Sequence, residues 1–283
     1  MHLDQGEYWN ELADRYQRET HITCGDFHYG PLLPGDAHFR LLPSALTALR
    51  CLELGCGAGQ NSIYLAGQGA LCTAVDISDR QLELARQTAA AHNVQVNWFQ
   101  SDMDDLPFSA PQVFDFIHTN SLGFSRAPSS VVARAAGLLA PGGTLLAATN
   151  HSAFAGEWLE VDEDEEGMFL SAFHHPPPDR RESATGKGAA CCQSHPPSAV
   201  FAWFRAAGLE VDTLLEPVAP PLADLAAAPD DSPLPYDSAD WRTLLPQLQR
   251  FPFMSILRGR RHSDNPLPTR KAPPGTPPRH PPR

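Results

Sequence analysis

The residues with the clearest chemical potential lie in Leu52-Glu53-Leu54-Gly55-Cys56-Gly57-Ala58-Gly59-Gln60-Asn61. An apolar run enters three closely spaced glycines and leaves them in a helical pattern. Without Cβ atoms the backbone turns sharply there and a ligand can lie against it. The helix that follows offers N–H groups and partial positive charge, suited to a carboxylate or a phosphate. Carboxylates stand around this loop. Asp76 ends the next apolar run, about 20 residues on, where an acid accepts from both hydroxyls of a ribose. Asp102, in Gln100-Ser101-Asp102-Met103, follows the run after that. It is placed to accept from the amino group of an adenine, with Met103 against the ring. Glu53, just before the glycines, sets a negative charge toward an ammonium group.

These residues need a scaffold, and the pattern supplies one. Residues 4–18 read as an amphipathic helix with Tyr8, Trp9, Leu12 and Tyr16 at helical spacings. A polar, Gly/Pro-containing stretch covers 21–36. Strands are expected at 51–54, 71–76, 94–99, 113–119 and 143–149. Helices are expected to start at 61 and to span 79–91 (capped by Ser78) and 129–140. This alternation predicts an α/β fold, a doubly wound, mostly parallel sheet with helices on both faces. After Asn150 the texture changes. Residues 157–166 hold a carboxylate cluster, and 174–197, rich in Pro, His, Ser and Gly, should be largely loop. A helix at 198–207 and a strand at 209–215 follow, and a Pro/Ala/Asp-rich stretch then leads to 241–248 and a last strand near 251–257. Past Arg260 the Pro- and Arg-rich chain reads as disordered. The domain reading is therefore a cap or lid over 1–44, a catalytic domain over 45–261 with an insertion at about 151–197, and a tail over 262–283.

With these motifs in place, the chain resembles the class I S-adenosylmethionine-dependent methyltransferases of small-molecule type. The resemblance is strong over about residues 45–150, through LELGCGAG, VDIS, DMDDLPF and LLAPGGTLL. It continues weakly through YWNELADRY at the start, and through WFRAAGLEVDTLLEP and FPFMSIL near the end. It implies a seven-stranded sheet whose last strand is antiparallel, and S-adenosyl-L-methionine as cofactor. The Gly55, Gly57 and Gly59 loop, with Cys56 and Asn61, would hold the methionine part. Asp76 and Ile77 would take the ribose, Asp102 and Met103 the adenine, and backbone near Asn120 the sulfonium side. Tyr16 would add to the set from the capping helix. A nicotinamide- or flavin-binding fingerprint fits less well, because its third glycine falls where Gln60 stands and a pyrophosphate has no use for Glu53.

Methyl transfer needs a nucleophile aligned with the S–CH₃ axis, water excluded, and a base where the acceptor arrives protonated. His151, directly after the fifth strand, is the first candidate base. His28 and Tyr29, in the aromatic, turn-rich segment Asp26-Phe27-His28-Tyr29-Gly30-Pro31, come next. His118 lies inside a strand and reads as a hydrogen-bonded core residue. Thr119-Asn120-Ser121-Leu122-Gly123-Phe124 lacks the Asn/Asp-Pro-Pro-aromatic motif of amino-methyltransferases acting on DNA bases and glutamine amides. A small-molecule acceptor with an O, N, S or C nucleophile remains. A formal charge of −12 with two lysines opposes nucleic-acid binding. No run of 18 apolar residues suggests a membrane span, and the polar N-terminus is unlike a signal peptide, so a cytoplasmic location is expected. The six cysteines read mostly as buried small hydrophobes, and no metal site is expected. Two other readings stay open: a non-catalytic S-adenosylmethionine-binding module and, further off, a dinucleotide-dependent oxidoreductase.

Overall fold

A computed structural model describes residues 4–108, 113–155, 157–162, 165–170, 172–220, 236 and 239–263. The chain begins with α1 (Gln5–Thr20) and α2 (Asp36–Phe39), then β1 (Arg50–Leu54), α3 (Gln60–Gly67), β2 (Leu71–Asp76), α4 (Asp79–Ala91) and β3 (Val96–Gln100). It continues through β4 (Phe114–Thr119), α5 (Pro128–Leu138) and β5 (Leu139–Asn150). Two antiparallel hairpins follow, β6 (Glu157–Asp162) with β7 (Glu165–Phe169) and β8 (Asp179–Glu182) with β9 (Ala189–Cys192). The chain then forms α6 (Pro197–Ala206), β10 (Leu209–Leu215), α7 (Ala239–Thr243), α8 (Leu245–Leu248) and β11 (Met254–Arg261).

Seven strands make the main sheet in the order β3-β2-β1-β4-β5-β11-β10. β11 runs antiparallel to both neighbours, while β1 to β5 are parallel. The strand order reverses between β1 and β4. A crevice opens at the carboxyl ends of the strands at such a switch point. Successive residues feed opposite faces of the sheet, as the two-residue strand period requires. Leu52, Ile117, Leu145 and Leu257 pack with Val131 of α5 and Phe204 of α6 on one side. Cys51, Phe116, Leu146 and Ile256 pack on the other. Burying one such aliphatic side chain stabilises by about 1.5–3 kcal/mol.

The second face is covered by the segment that leads to β1. Phe27, Tyr29, Leu33 and Leu41 are buried in it. Its turns are tied by Asp36, whose Oδ1 accepts from the Leu41 amide at 2.7 Å, the Leu42 amide at 3.1 Å and the Tyr29 hydroxyl. This segment is a core element, not a lid. α1 instead lies across α4. Asp14 pairs with Arg80 at 2.7 Å, and the Ser78 hydroxyl donates to Asn10 at 2.6 Å. Ser78 also caps α4, as the sequence implied, accepting from Gln81.

Several elements differ from the sequence reading. The 174–197 stretch holds the β8–β9 hairpin. Its polar residues find partners on α1: the Ala189 amide donates to the Asp4 carbonyl at 3.1 Å, and Ser183 donates to Glu11 at 3.0 Å. The 241–248 stretch, to which the sequence pattern assigns no element type, lies in two short helices, with Pro246 near the start of α8, where a missing N–H does no harm. The last strand starts and ends later than expected. Arg258 pairs with Asp212 at 2.8 Å, and the buried Arg261 donates to the Leu139 carbonyl at 2.6 Å, next to the end of α5. These arginines belong to β11, inside the sheet, and not to the tail; residues 264–283 lie outside the described part. All six cysteines are free. No helix among the described residues is long and apolar enough to cross a membrane.

Gly59 shows what the loop demands of packing. Its φ is +75°, and a Cβ there would lie 2.4 Å from Cη2 of Trp98 on β3. Gly59→Ala should therefore lower the unfolding free energy by about 2–4 kcal/mol, from strain and overpacking together. Urea denaturation checks this, and adding Trp98→Leu should restore part of the loss. An unchanged midpoint for Gly59→Ala would contradict the packing account.

Candidate functional site

The glycine loop leaves β1 and is pinned to β2. The Gly55 and Cys56 amides donate to the Val75 carbonyl at 2.9 and 3.0 Å. The Gly57 amide donates to Oδ2 of Asp76 at 2.7 Å, and the Gly59 amide to the Cys56 carbonyl at 2.9 Å. Four loop amides are thus engaged inside the protein. A diphosphate, which binds such loops through free N–H groups, finds few of them here.

Two buried carboxyls face the same crevice. Glu53 at the end of β1 is 5% exposed and Asp76 at the end of β2 is 8% exposed. Glu53 accepts from the Ser62 amide at 3.1 Å and the Ser62 hydroxyl at 2.5 Å. Asp76 accepts from Gly57 and, through Oδ1, from the Ser78 amide at 2.9 Å. Among the described residues neither has a Lys or Arg at ion-pair distance. Burial pushes the Glu53 carboxyl up to about 8, and Asp76 adds repulsion. Burial also raises Asp76, opposed by its backbone hydrogen bonds. Buried charges need partners. Two buried carboxyls without a Lys or Arg partner among the described residues suit a ligand that brings hydroxyls and positive charge.

The other expected residues fall into two groups. Tyr16, Gly55, Cys56, Gly57, Ile77, Asp102, Met103, Asn120 and His28 all line this cavity, along with Glu53 and Asp76. Asp102 is already engaged: Oδ1 accepts from the Asp104 amide at 2.9 Å, and Oδ2 pairs with Arg126 at 2.7 Å. Gly59 and Asn61 do not reach the lining. Gly59 serves the contact with Trp98. Asn61 accepts from the His28 amide at 2.8 Å and donates to its carbonyl at 3.0 Å. Asn120 donates to that carbonyl as well, at 2.8 Å. Two asparagines therefore clamp the His28 backbone. The residue is half-buried, its Nδ1 has no hydrogen-bond partner, and desolvation lowers the ring to about 4, so it is neutral at pH 7.

The remaining base candidates lie elsewhere. Tyr29 is fully buried against Phe27 and Phe39 and donates to Asp36. His151 has both ring nitrogens engaged, Nδ1 with the Ala153 amide at 2.9 Å and Nε2 with Glu216 at 2.7 Å. It lines neither cavity; it fastens the end of β5. His118 is a core residue, but without the hydrogen bonds expected of it: it stacks on Phe116 and neither ring nitrogen has a partner. The side chains of the acidic run at 162–166 lie outside the described residues.

Tyr236 was missed by sequence reasoning. It sits in a Pro/Ala/Asp-rich stretch, 220 positions from Tyr16, whose hydroxyl donates to it at 2.6 Å. Gln17, Gln60, Gln81, Ser121 and Phe124 also line the crevice; their spacing carried no signal. A second cavity of about 800 Å³ adjoins the first. Trp9, Tyr16, His28, Asn120, Phe124 and Tyr236 line both.

Comparison with known proteins agrees with this geometry. Residues 51–143, a third of the chain, match the family model described as a methyltransferase domain. A ubiquinone biosynthesis O-methyltransferase of Xylella fastidiosa is 34% identical over 117 residues, 41% of this chain and 48% of the relative. The chain thus spans about half the length of that curated relative. An S-adenosylmethionine-dependent methyltransferase of Mesorhizobium loti superposes with a TM-score of 0.61 at 19% identity, covering 80% of this chain and 96% of its own. The cyclase SpnF superposes at 0.57 with 16% identity, covering 93% and 98%. Residues 51–143 are thus similar to a methyltransferase domain, and the sheet around them has the class I methyltransferase fold.

The Glu53 environment predicts a pH signature. Below about pH 8 the free protein holds this carboxyl protonated, and an ammonium bound beside it favours the ionised form. Binding should then release a proton, and affinity for S-adenosylhomocysteine should rise with pH up to that value and flatten above it. Calorimetry at pH 7 in buffers of different ionisation heat should count about one proton released by wild type more than by Glu53→Gln. Equal counts would contradict the assignment.

Proposed function

We propose that this methyltransferase domain binds S-adenosyl-L-methionine in the crevice above Gly55–Gly59. It transfers the methyl group to a small-molecule acceptor entering from the second cavity. The observation that carries the reading is the pair of buried, cation-free carboxyls, Glu53 and Asp76, beside a glycine loop whose amides are already engaged. Glu53 would hold the amino end, Asp76 with Ile77 the ribose, and Asp102 with Met103 the adenine side.

The bound cofactor supplies a methyl group on a positively charged sulfur. The chain supplies placement. α1 closes the crevice with Trp9, whose ring meets Phe124 edge to face at 5.2 Å, and so keeps water from the reacting centre. The Asn61–Asn120 clamp fixes His28 where the two cavities meet. A fixed group of this kind orients an acceptor, and orientation contributes up to about 7–11 kcal/mol. The neutral His28 ring is suited to hydrogen-bond an acceptor hydroxyl, not to store a proton. His151 and Tyr29 are not assigned to the reaction.

The rival reading is binding without transfer, and SpnF, a cyclase by its description, shares the fold. Fold alone does not decide between them. Asp76→Ala should weaken S-adenosylhomocysteine binding by about 50-fold or more, since a charge-assisted contact and the Gly57 anchor are lost together. His28→Ala should leave that affinity within about threefold and cut turnover of an accepted substrate at least about tenfold. Calorimetry and release of S-adenosylhomocysteine measure the two. Tight cofactor binding with no transfer to any acceptor would favour the binding module.

A further inference from the structure

One run of the second cavity's wall is aromatic. Trp9, Tyr16, Tyr236, Trp241, Phe253 and Phe154 form an unbroken series of aromatic contacts along it. The ring centroids lie 5.6 Å apart for Trp9–Tyr16, 5.9 Å for Tyr16–Tyr236 and 5.6 Å for Tyr236–Trp241. The series continues at 5.2 Å for Trp241–Phe253 and 4.6 Å for Phe154–Phe253. Every contact is edge to face. Rings held this way by their neighbours present fixed surfaces against which another flat ring can pack.

Its charges cancel. The lining includes two arginines and two carboxylates among the described residues. Arg15 pairs with Glu19 at 3.7 Å, and Arg181 donates to Asp179 at 2.8 Å. No charge in that described lining is left without an opposite partner. A carboxylate or ammonium on the ligand would leave water for the aromatic volume without meeting an unpaired counter-charge in that lining, which is unfavourable. At about 800 Å³ the chamber is of a size that holds a drug-sized ligand.

We infer that this cavity accepts an uncharged, flat, polycyclic aromatic molecule bearing a hydroxyl group. The hydroxyl would point to His28 and Asn120 at the junction with the cofactor crevice. The inference rests on the proposed methyl transfer only for the direction of the hydroxyl; the preference for neutral aromatic ligands follows from the chamber itself. It also sets the chamber apart from the cofactor crevice, where two carboxyls await positive charge. The two halves of the site thus select by opposite electrostatics.

A matched series of probes tests this: 1-hydroxypyrene, 1-pyrenecarboxylate and 1-pyrenemethylamine, titrated into the full chain saturated with S-adenosylhomocysteine. The neutral phenol should bind at least about tenfold tighter than either charged analogue. Trp241→Ala should weaken it about tenfold while leaving S-adenosylhomocysteine affinity unchanged. Phe154→Ala gives a second route should Trp241→Ala fail to fold. Arg181→Gln should leave 1-hydroxypyrene affinity within about threefold, since no ionic contact is lost. Preferential binding of the carboxylate, abolished by Arg181→Gln, would overturn the inference. So would preferential binding of the amine, which the same rings could hold as a cation–π cage. Absence of all three probes from protein that does bind S-adenosylhomocysteine would overturn it too. Failure to bind S-adenosylhomocysteine would instead strike the proposed function.

Discussion

The hydrogen bond from the Gly57 amide to Asp76 is the contact on which the site depends. It joins the loop after β1 to the end of β2 and so braces the loop from within the protein. Asp76 must stay ionised to hold two amides well, yet it is buried beside Glu53 without a cation. The protein tolerates this because backbone donors oppose the burial. Glu53, with Ser62 as its hydrogen-bond donor, is pushed further and is neutral without a ligand. A nearby positive charge relieves both acids. The crevice is therefore pre-shaped in backbone and incomplete in charge.

The parts of this arrangement that were legible in the sequence are those governed by local rules. Glycine spacing marked the loop, apolar alternation marked β1 to β5, and β10 fell on its expected residues, 209–215. The acids at strand ends were legible because a parallel sheet places such ends together. What escaped was long-range. Tyr236 meets Tyr16 across 220 positions, and no local pattern encodes that approach. The β8–β9 hairpin hid within a Pro-rich composition because its partners lie on α1. Arg261 looked like the start of a basic tail, but its guanidinium meets the Leu139 carbonyl beyond α5. His151 and Tyr29 show the opposite error. Position beside a strand end or in an aromatic turn suggested chemistry, while Glu216 and Asp36 hold them in structural roles. Asn61 was assigned to the ligand and instead carries the His28 backbone.

The elements around the crevice are held by different forces, and this sorts them by ease of movement. The segment over 27–41 is fastened by buried rings and leucines against the sheet, and its displacement would expose a core. α1 is fastened by the ring contacts of Trp9 and Tyr16 and, on its α4 side, by polar contacts. Gln17 donates to Gln81 at 3.0 Å and accepts from Gln60 at 2.6 Å, and its Arg80–Asp14 pair is partly exposed. Partly exposed ion pairs contribute only about 0–1 kcal/mol each, because water replaces them well. Separating α1 from α4 thus costs far less than moving the covering segment. Tyr16 belongs to both cavities and travels with α1, whereas His28 stays with the core.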